Sequence, residues 1–261
     1  MLVLHSLYAT VLIIVTVLAA PGTRGADLRE DIPDELTAAL AEVDYPPFYF
    51  VEQGQLTGIS IDVLEHVAGN LGIRIRYTRL SWPRVLQSLE FGRVDMITTF
   101  FQTPARARYV VYTGESHASE SNHFFTRKGS EVTFNGDLQT LSGYLIGTIR
   151  GYSYGDAFDD AGFLTTDAVL DERTLVRMVA GERFKLAIGN PFAIRQEALN
   201  QGVADQLAFL DPAVDSSPIF MGFSRELKWA DELAEHFTQA IRAFKDTARY
   251  QQLLERYALA E

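Results

Sequence analysis

No cysteine occurs among the 261 residues. That excludes disulfides, a thiol nucleophile, a cysteine-bound metal and a lipid-modified N-terminal cysteine. Basic residues are scarce: 23 Lys and Arg stand against 34 Asp and Glu, a formal charge of -11. Nucleic acid is therefore not an expected partner, since phosphate binding needs clustered cations, and an anionic membrane surface is disfavoured. His5, His66, His117, His123 and His236 show no ligand spacing beyond a loose His117…His123 pair, so no metal and no cofactor is expected. The chain has no Gly-x-Ser-x-Gly elbow and no P-loop pattern, which removes the esterase and phosphate-binding readings. Paired acids such as Asp159-Asp160 and Asp231-Glu232 read as solvated surface.

What is present is enough apolar side chain, 47% of residues, to bury one large core or two lobes. Leu2 to Ala20 is an apolar run followed by Pro21-Gly22 and a small-residue site ending at Gly25. It reads as a secretory signal peptide, residues 1–25, cleaved near Gly25. The stretch ahead of it holds no Lys or Arg, and an uncleaved anchor helix is the alternative.

Beyond it, helical and strand periodicities alternate, which indicates an α/β protein with mainly parallel sheets. Strands are expected over Leu36–Val43, Ile73–Tyr77, Val94–Thr99, Tyr109–Thr113, Asn122–Arg127, Tyr144–Ile149, Phe184–Ile188 and Leu207–Leu210. Helices are expected over Ile59–Asn70, Trp82–Phe91, Asp171–Ala180, Pro191–Asn200, Ala230–Lys245 and Ala248–Tyr257. Between Gly92 and Arg108 lies the organising stretch: a helix C-cap, a buried strand, then Thr103-Pro104, a helix-start signal. Arg106 thus falls in the first turn after the carboxyl end of a strand, where open α/β sheets bind ligands. A planar guanidinium there suits a carboxylate, which it meets with two parallel hydrogen bonds.

Tyr45-Pro46-Pro47-Phe48, Gly54 to Leu64, Leu71-Gly72, Trp82-Pro83, Gly92-Arg93-Val94-Asp95 and Thr103-Pro104-Ala105-Arg106 follow one another in order. The series resembles the bacterial extracellular solute-binding proteins of family 3, over roughly Leu36 to Tyr257. The resemblance implies a type II periplasmic binding protein-like fold: two α/β lobes with a ligand cleft between them. The first lobe would comprise residues 26–114 and 220–261, the second 115–219, with hinges near Gly114–Ser116 and Ile219–Gly222. It implies a periplasmic monomer that closes on a small carboxylate-bearing solute and docks on an inner-membrane ABC permease.

Residue by residue, the resemblance places Arg106 and Thr103 at the ligand carboxylate. Thr99 and Phe101 lie beside them. Tyr45 and Trp82 become aromatic walls, and Tyr152 and Ser153, in a glycine-flanked turn, the second lobe's contribution. Phe101 stands where many members carry a hydroxyl, and Asn190 where an aspartate usually meets the ligand ammonium. An amide carries no charge, so a carboxylate with a neutral remainder is expected to bind better than a free amino acid, unless Glu42, at the end of the first strand, supplies the anion. Dehydratases that aromatise a cyclohexadienyl substrate also resemble this pattern. They need a cleft acid, for which Glu42 and Glu115 are the candidates. A freestanding sensor module is the third reading.

Overall fold

The computed structural model describes residues 32–260. The expected signal peptide lies outside them. The first strand, β1 (Glu35–Ala41), is small and apolar and is buried from Ala38 to Ala41. That composition suits a central parallel strand covered on both faces. A hairpin follows, β2 (Phe50–Glu52) and β3 (Gln55–Thr57), then helix α1 (Ile59–Asn70), β4 (Arg74–Leu80) and α2 (Trp82–Glu90). Gly58 caps α1 at φ 124°, and a Cβ there would lie 2.3 Å from the Phe48 carbonyl oxygen, so only glycine fits. β5 (Met96–Phe100) is buried throughout. β1 pairs in parallel with both β4 and β5.

The helix expected after Thr103-Pro104 is a single 3-10 turn, Arg106–Arg108. The cap itself forms: Thr103 Oγ1 accepts from the Arg106 amide at 3.3 Å. The turn cannot extend, because the chain enters β6 (Val110–Tyr112) two residues later and pairs with a returning strand.

β7 (Ala118–Arg127) then carries the chain into the second half. β8 (Leu145–Ile149), the short α3 (Asp156–Asp159), β9 (Thr165–Val169), α4 (Glu172–Ala180), β10 (Leu186–Gly189), α5 (Pro191–Asn200) and β11 (Leu207–Phe209) follow. β12 (Asp215–Ser224) returns alongside β7, and α6 (Ala230–Lys245) and α7 (Ala248–Arg256) close the chain against α1. Strand order is β4-β1-β5-β12-β7-β10-β8-β9, with β6 on β12 and β11 on β7. The sheet is mixed rather than mainly parallel. β12 runs antiparallel to β5, β6 and β7, and β7 antiparallel to β10 and β11. β9, exposed along nearly its whole length, has no apolar alternation to mark it in the sequence.

The apolar interior divides accordingly. Leu40, Leu64, Met96, Phe223 and Phe237 belong to one core. In the second half, Phe124 and Phe125 point to opposite faces of the sheet, as neighbours on a strand must. Phe124 packs with Ile146 and Ile188, Phe125 with Leu175 and Phe184. The change of core falls along the two long strands: Ala118 and Ile219 pack in the first, Phe124 and Val214, just ahead of β12, in the second.

Candidate functional site

Where the ends of β1 and β5 face the β8–α3 turn, the chain leaves a cavity of about 350 Å³, counting its open mouth. Tyr45, Trp82, Thr99 and Phe101 line it from one side, with Arg106; Tyr152 and Ser153 close the other. Seven of the ten sequence-predicted residues thus meet at one place.

Each is held by local chemistry. Tyr45 leaves β1 in the Tyr45-Pro46-Pro47 turn, where its carbonyl accepts from the amides of Phe48 and Tyr49. Its ring stacks on Phe48 and meets Tyr152 edge-on at 6.1 Å. Trp82 starts α2 ahead of Pro83, and packs edge-on against Phe100 at 5.9 Å and Tyr152 at 5.2 Å. Arg106 is 7% exposed. Its guanidinium lies 4.1 Å from the centre of the Phe100 ring and donates to the Phe101 carbonyl and the Gly151 carbonyl, each at 3.0 Å. Burial lowers its pKa, with nearby Tyr112 and Tyr109 opposing. Trp82 Nε1 donates to the same Gly151 oxygen at 3.1 Å. Gly151 has φ 81°, and a Cβ there would come within 2.8 Å of Leu86 and 3.5 Å of the Trp82 ring; the missing side chain is what lets this carbonyl approach.

Hydroxyls complete the wall. Thr99 donates to Ser60 Oγ at 2.9 Å, and Ser60 in turn meets His117 Nε2 at 2.8 Å. Full burial pushes the His117 imidazole down to about 3, so the ring is neutral. Ser153 donates to Asp159, which also accepts from the Tyr154 amide.

Three predicted residues do not line the cavity. Thr103 acts one step back, as the cap that orients Arg106. Asn190 is buried but spent. Its Oδ1 accepts from the Phe192 and Ala193 amides as the N-cap of α5, and its Nδ2 donates to the Ser121 carbonyl. Glu42 is exposed: β1 ends at Ala41, and Glu42 continues the ladder with its amide on the Leu80 carbonyl while its side chain faces solvent. Glu115 is likewise occupied, in a pair with Lys245 and Arg242 that lowers its pKa.

Tyr49, Phe100 and Glu120 line the cavity without having been singled out. Phe100 is the chain neighbour of Phe101, and Tyr49 follows the Tyr45-Pro46-Pro47-Phe48 segment. Glu120 was hidden in the polar run Ser119-Glu120-Ser121-Asn122. Carrying the two-residue strand period back from Phe124 puts Asn122, Glu120 and Ala118 on the buried face, and all three are buried. Tyr45 OH donates to Glu120 Oε1 at 2.6 Å. Desolvation raises the Glu120 carboxyl to about 8, against the Tyr45 hydrogen bond and Arg106, which lower it. Behind the cavity, Tyr152 OH donates to buried Glu172 at 2.7 Å, and desolvation raises that acid to about 7.

The site therefore offers one cation, one acid that is protonated near neutrality, several hydroxyls and aromatic walls. No group of acids and histidines able to hold a metal exists among the described residues, and none of their helices is long and apolar enough to cross a membrane.

Comparison with known proteins gives the fold and the family. An L-arginine-binding protein of Pseudomonas aeruginosa is 23% identical over 83% of this chain and 85% of its own length. A probable histidine-binding protein of Campylobacter jejuni is 26% identical over 41% of this chain, and the match spans 43% of that relative's length. Among solved structures, a histidine kinase sensor domain similar to periplasmic binding proteins superposes with a TM-score of 0.73 at 16% identity, over 85% of this chain and 95% of that one. The ancestral amino acid-binding protein AncCDT-1, a precursor of cyclohexadienyl dehydratase, does so with a TM-score of 0.68 at 16% identity, over 86% and 95%. These superpositions establish the periplasmic binding protein fold. The model of one family matches residues 38–260, nearly everything described, and the chain belongs to that family, the bacterial extracellular solute-binding proteins, family 3.

Proposed function

We propose that this protein is an exported, monomeric receptor for a small carboxylate-bearing solute, an amino acid or a derivative of one, which it delivers to an inner-membrane ABC permease. The observation that carries this is Arg106. A buried guanidinium faces an aromatic cavity, and among the described residues its hydrogen-bond partners are neutral carbonyls. A carboxylate is the stronger partner for its planar donors. The Thr99 and Ser153 hydroxyls, whose protons are held by Ser60 and Asp159, offer a ligand acceptor oxygens.

In this reading the lobes are residues 26–114 with 220–261, and 115–219. The antiparallel pair β7–β12, in register from Asp215↔Asn122 to Ile219↔Ala118, is the strap about which they close. The Gly151 carbonyl, reached by Arg106 and Trp82, is the contact made on closure. Residues 1–25 are removed on export. Names of relatives fit an amino-acid solute: the P. aeruginosa protein binds L-arginine.

Native mass spectrometry of the protein purified from its own periplasm tests this. A co-purifying acid, and a chain starting near Ala26, are expected. A chain that retains residues 1–25 in a membrane fraction refutes the export part. Failure to bind any carboxylate in calorimetric titration refutes the receptor part.

Glu120 gives a second reading some weight. An acid with a raised pKa in the cleft is what acid-assisted elimination requires. Turnover of a cyclohexadienyl substrate, followed by the absorbance of an aromatic product, would establish it.

A further inference from the structure

We infer that Glu120 is the countercharge for the α-ammonium group of the ligand, which makes the ligand a free amino acid rather than a carboxylate with a neutral remainder. The inference rests on the carboxylate reading of Arg106.

The expectation of a neutral remainder came from Asn190, an amide where an acid was sought. Asn190 does not face the ligand at all: both ends of its amide are tied to backbone groups of α5 and β7. The rescue once open to Glu42 also lapses, because that side chain is exposed. The acid that shares the cavity with Arg106 is Glu120, 5% exposed and on the strap strand β7.

Its geometry is that of a half-built ion site. Tyr45 OH holds one carboxyl oxygen, Oε1, at 2.6 Å, and the other makes no hydrogen bond to any described residue. That second oxygen is not a buried unsatisfied atom; it opens on the cavity, where a ligand can reach it. Arg106 and Glu120 line one small cavity, so the two charges they would read lie close together on the ligand. A carboxylate and an ammonium on the same carbon meet that condition. A ligand with a carboxylate alone offers Glu120 no cation, and the acid then keeps its proton.

Charge bookkeeping follows from the same contacts. Burial acts most strongly on Glu120, Glu172 and Asp215 add to it, and the Tyr45 hydrogen bond and Arg106 oppose them. Without ligand they leave it protonated at neutral pH. When an ammonium arrives, the Glu120 O–H proton passes to solvent, the carboxylate pairs with the ammonium, and the ligand keeps its own proton. Binding of a free amino acid therefore releases up to one proton at pH 7. Binding of its Nα-acetyl form releases none from Glu120.

The test is calorimetric titration of the full mature protein with each common L-amino acid and its Nα-acetyl counterpart, in two buffers of different ionisation enthalpy at pH 7. The tightest free amino acid should exceed its acetyl form by about a hundredfold or more, the loss expected when one partner of a buried charge pair is removed. Its observed enthalpy should shift between buffers in the sense of proton release. In Glu120→Gln, which keeps an acceptor for Tyr45, the amine-to-acetyl ratio should collapse toward one and the buffer dependence vanish. An acetyl form that binds as well as the amine in the unaltered protein, with both lost in Arg106→Ala, overturns this inference and leaves the receptor reading standing. A ratio unchanged by Glu120→Gln also overturns it. Binding of every probe that survives Arg106→Ala sinks the receptor reading and this inference together. The buffer dependence is read on the unaltered chain, so the test does not hang on how the variant folds.

Discussion

Arg106→Ala should abolish tight ligand binding while leaving the fold in place, and the structure separates the two effects. Both carbonyls that Arg106 holds have a second donor. The Phe101 oxygen also accepts from Tyr112 OH at 3.0 Å, and the Gly151 oxygen from Trp82 Nε1 at 3.1 Å. Neither is orphaned when the guanidinium goes. What folding loses is two charge-assisted hydrogen bonds, partly replaced, and the stacking on Phe100. Relief of a desolvated cation offsets part of this, so a net loss of about 1–2 kcal/mol is expected. Binding has no such substitutes. A ligand carboxylate brought into the cavity without its cation loses roughly 3–5 kcal/mol, a weakening of about two to three and a half powers of ten. Arg108, two residues on, is exposed and donates to the Ala105 carbonyl at 3.3 Å. Arg108→Ala should cost under ~1 kcal/mol, less than about fivefold. Arg106→Lys keeps the charge but not the planar fork and should fall between. Titration calorimetry on the three variants, with thermal melts of each, reads both quantities. Equal losses from Arg106→Ala and Arg108→Ala, or a binding loss no larger than the stability loss, would refute the assignment.

Ligand should change the fluorescence of Trp82, which lines the cavity, and not that of Trp229, buried in the first core; a ligand-induced change that survives Trp82→Phe contradicts this. Without ligand, stability should fall as pH rises from about 5 to about 8. Glu120 and Glu172 keep protons in the folded state, to about 8 and about 7, that the unfolded chain gives up near 4.5, so the folded state binds more protons across that window. The loss is on the order of a few kcal/mol; denaturant melts of Glu120→Gln and Glu172→Gln should each show a flatter pH profile, and an unchanged slope in both would sink the account. Gly155→Ala should destabilise the protein by about 2–4 kcal/mol, because Gly155 has φ 94° and an added Cβ would lie 2.4 Å from Asp215 Cγ on β12; a melting temperature equal to the unaltered protein's would show that the turn can shift.

The fold class, most element positions and the arginine that lines the cavity were legible in the amino-acid order. Those features are local. Ile59–Asn70 has its own helical period, Val94–Thr99 its own apolar run, and Thr103 caps the turn of Arg106 from three residues away. The direction of a strand's neighbours is not local, which is why antiparallel β7 and β12 turned an expected parallel sheet into a mixed one. Nor is the environment of an acid. Glu42, Glu115 and Glu120 are chemically similar, and Asn190 was judged by its position in the chain. Only the packing showed Glu42 in water, Glu115 paired with Lys245, Asn190 bound to its own helix and Glu120 inside the cavity against Tyr45. Sequence supplied the charges available to the ligand. Tertiary structure decided which of them lost their water, and in a binding site that loss determines which charge the ligand must answer.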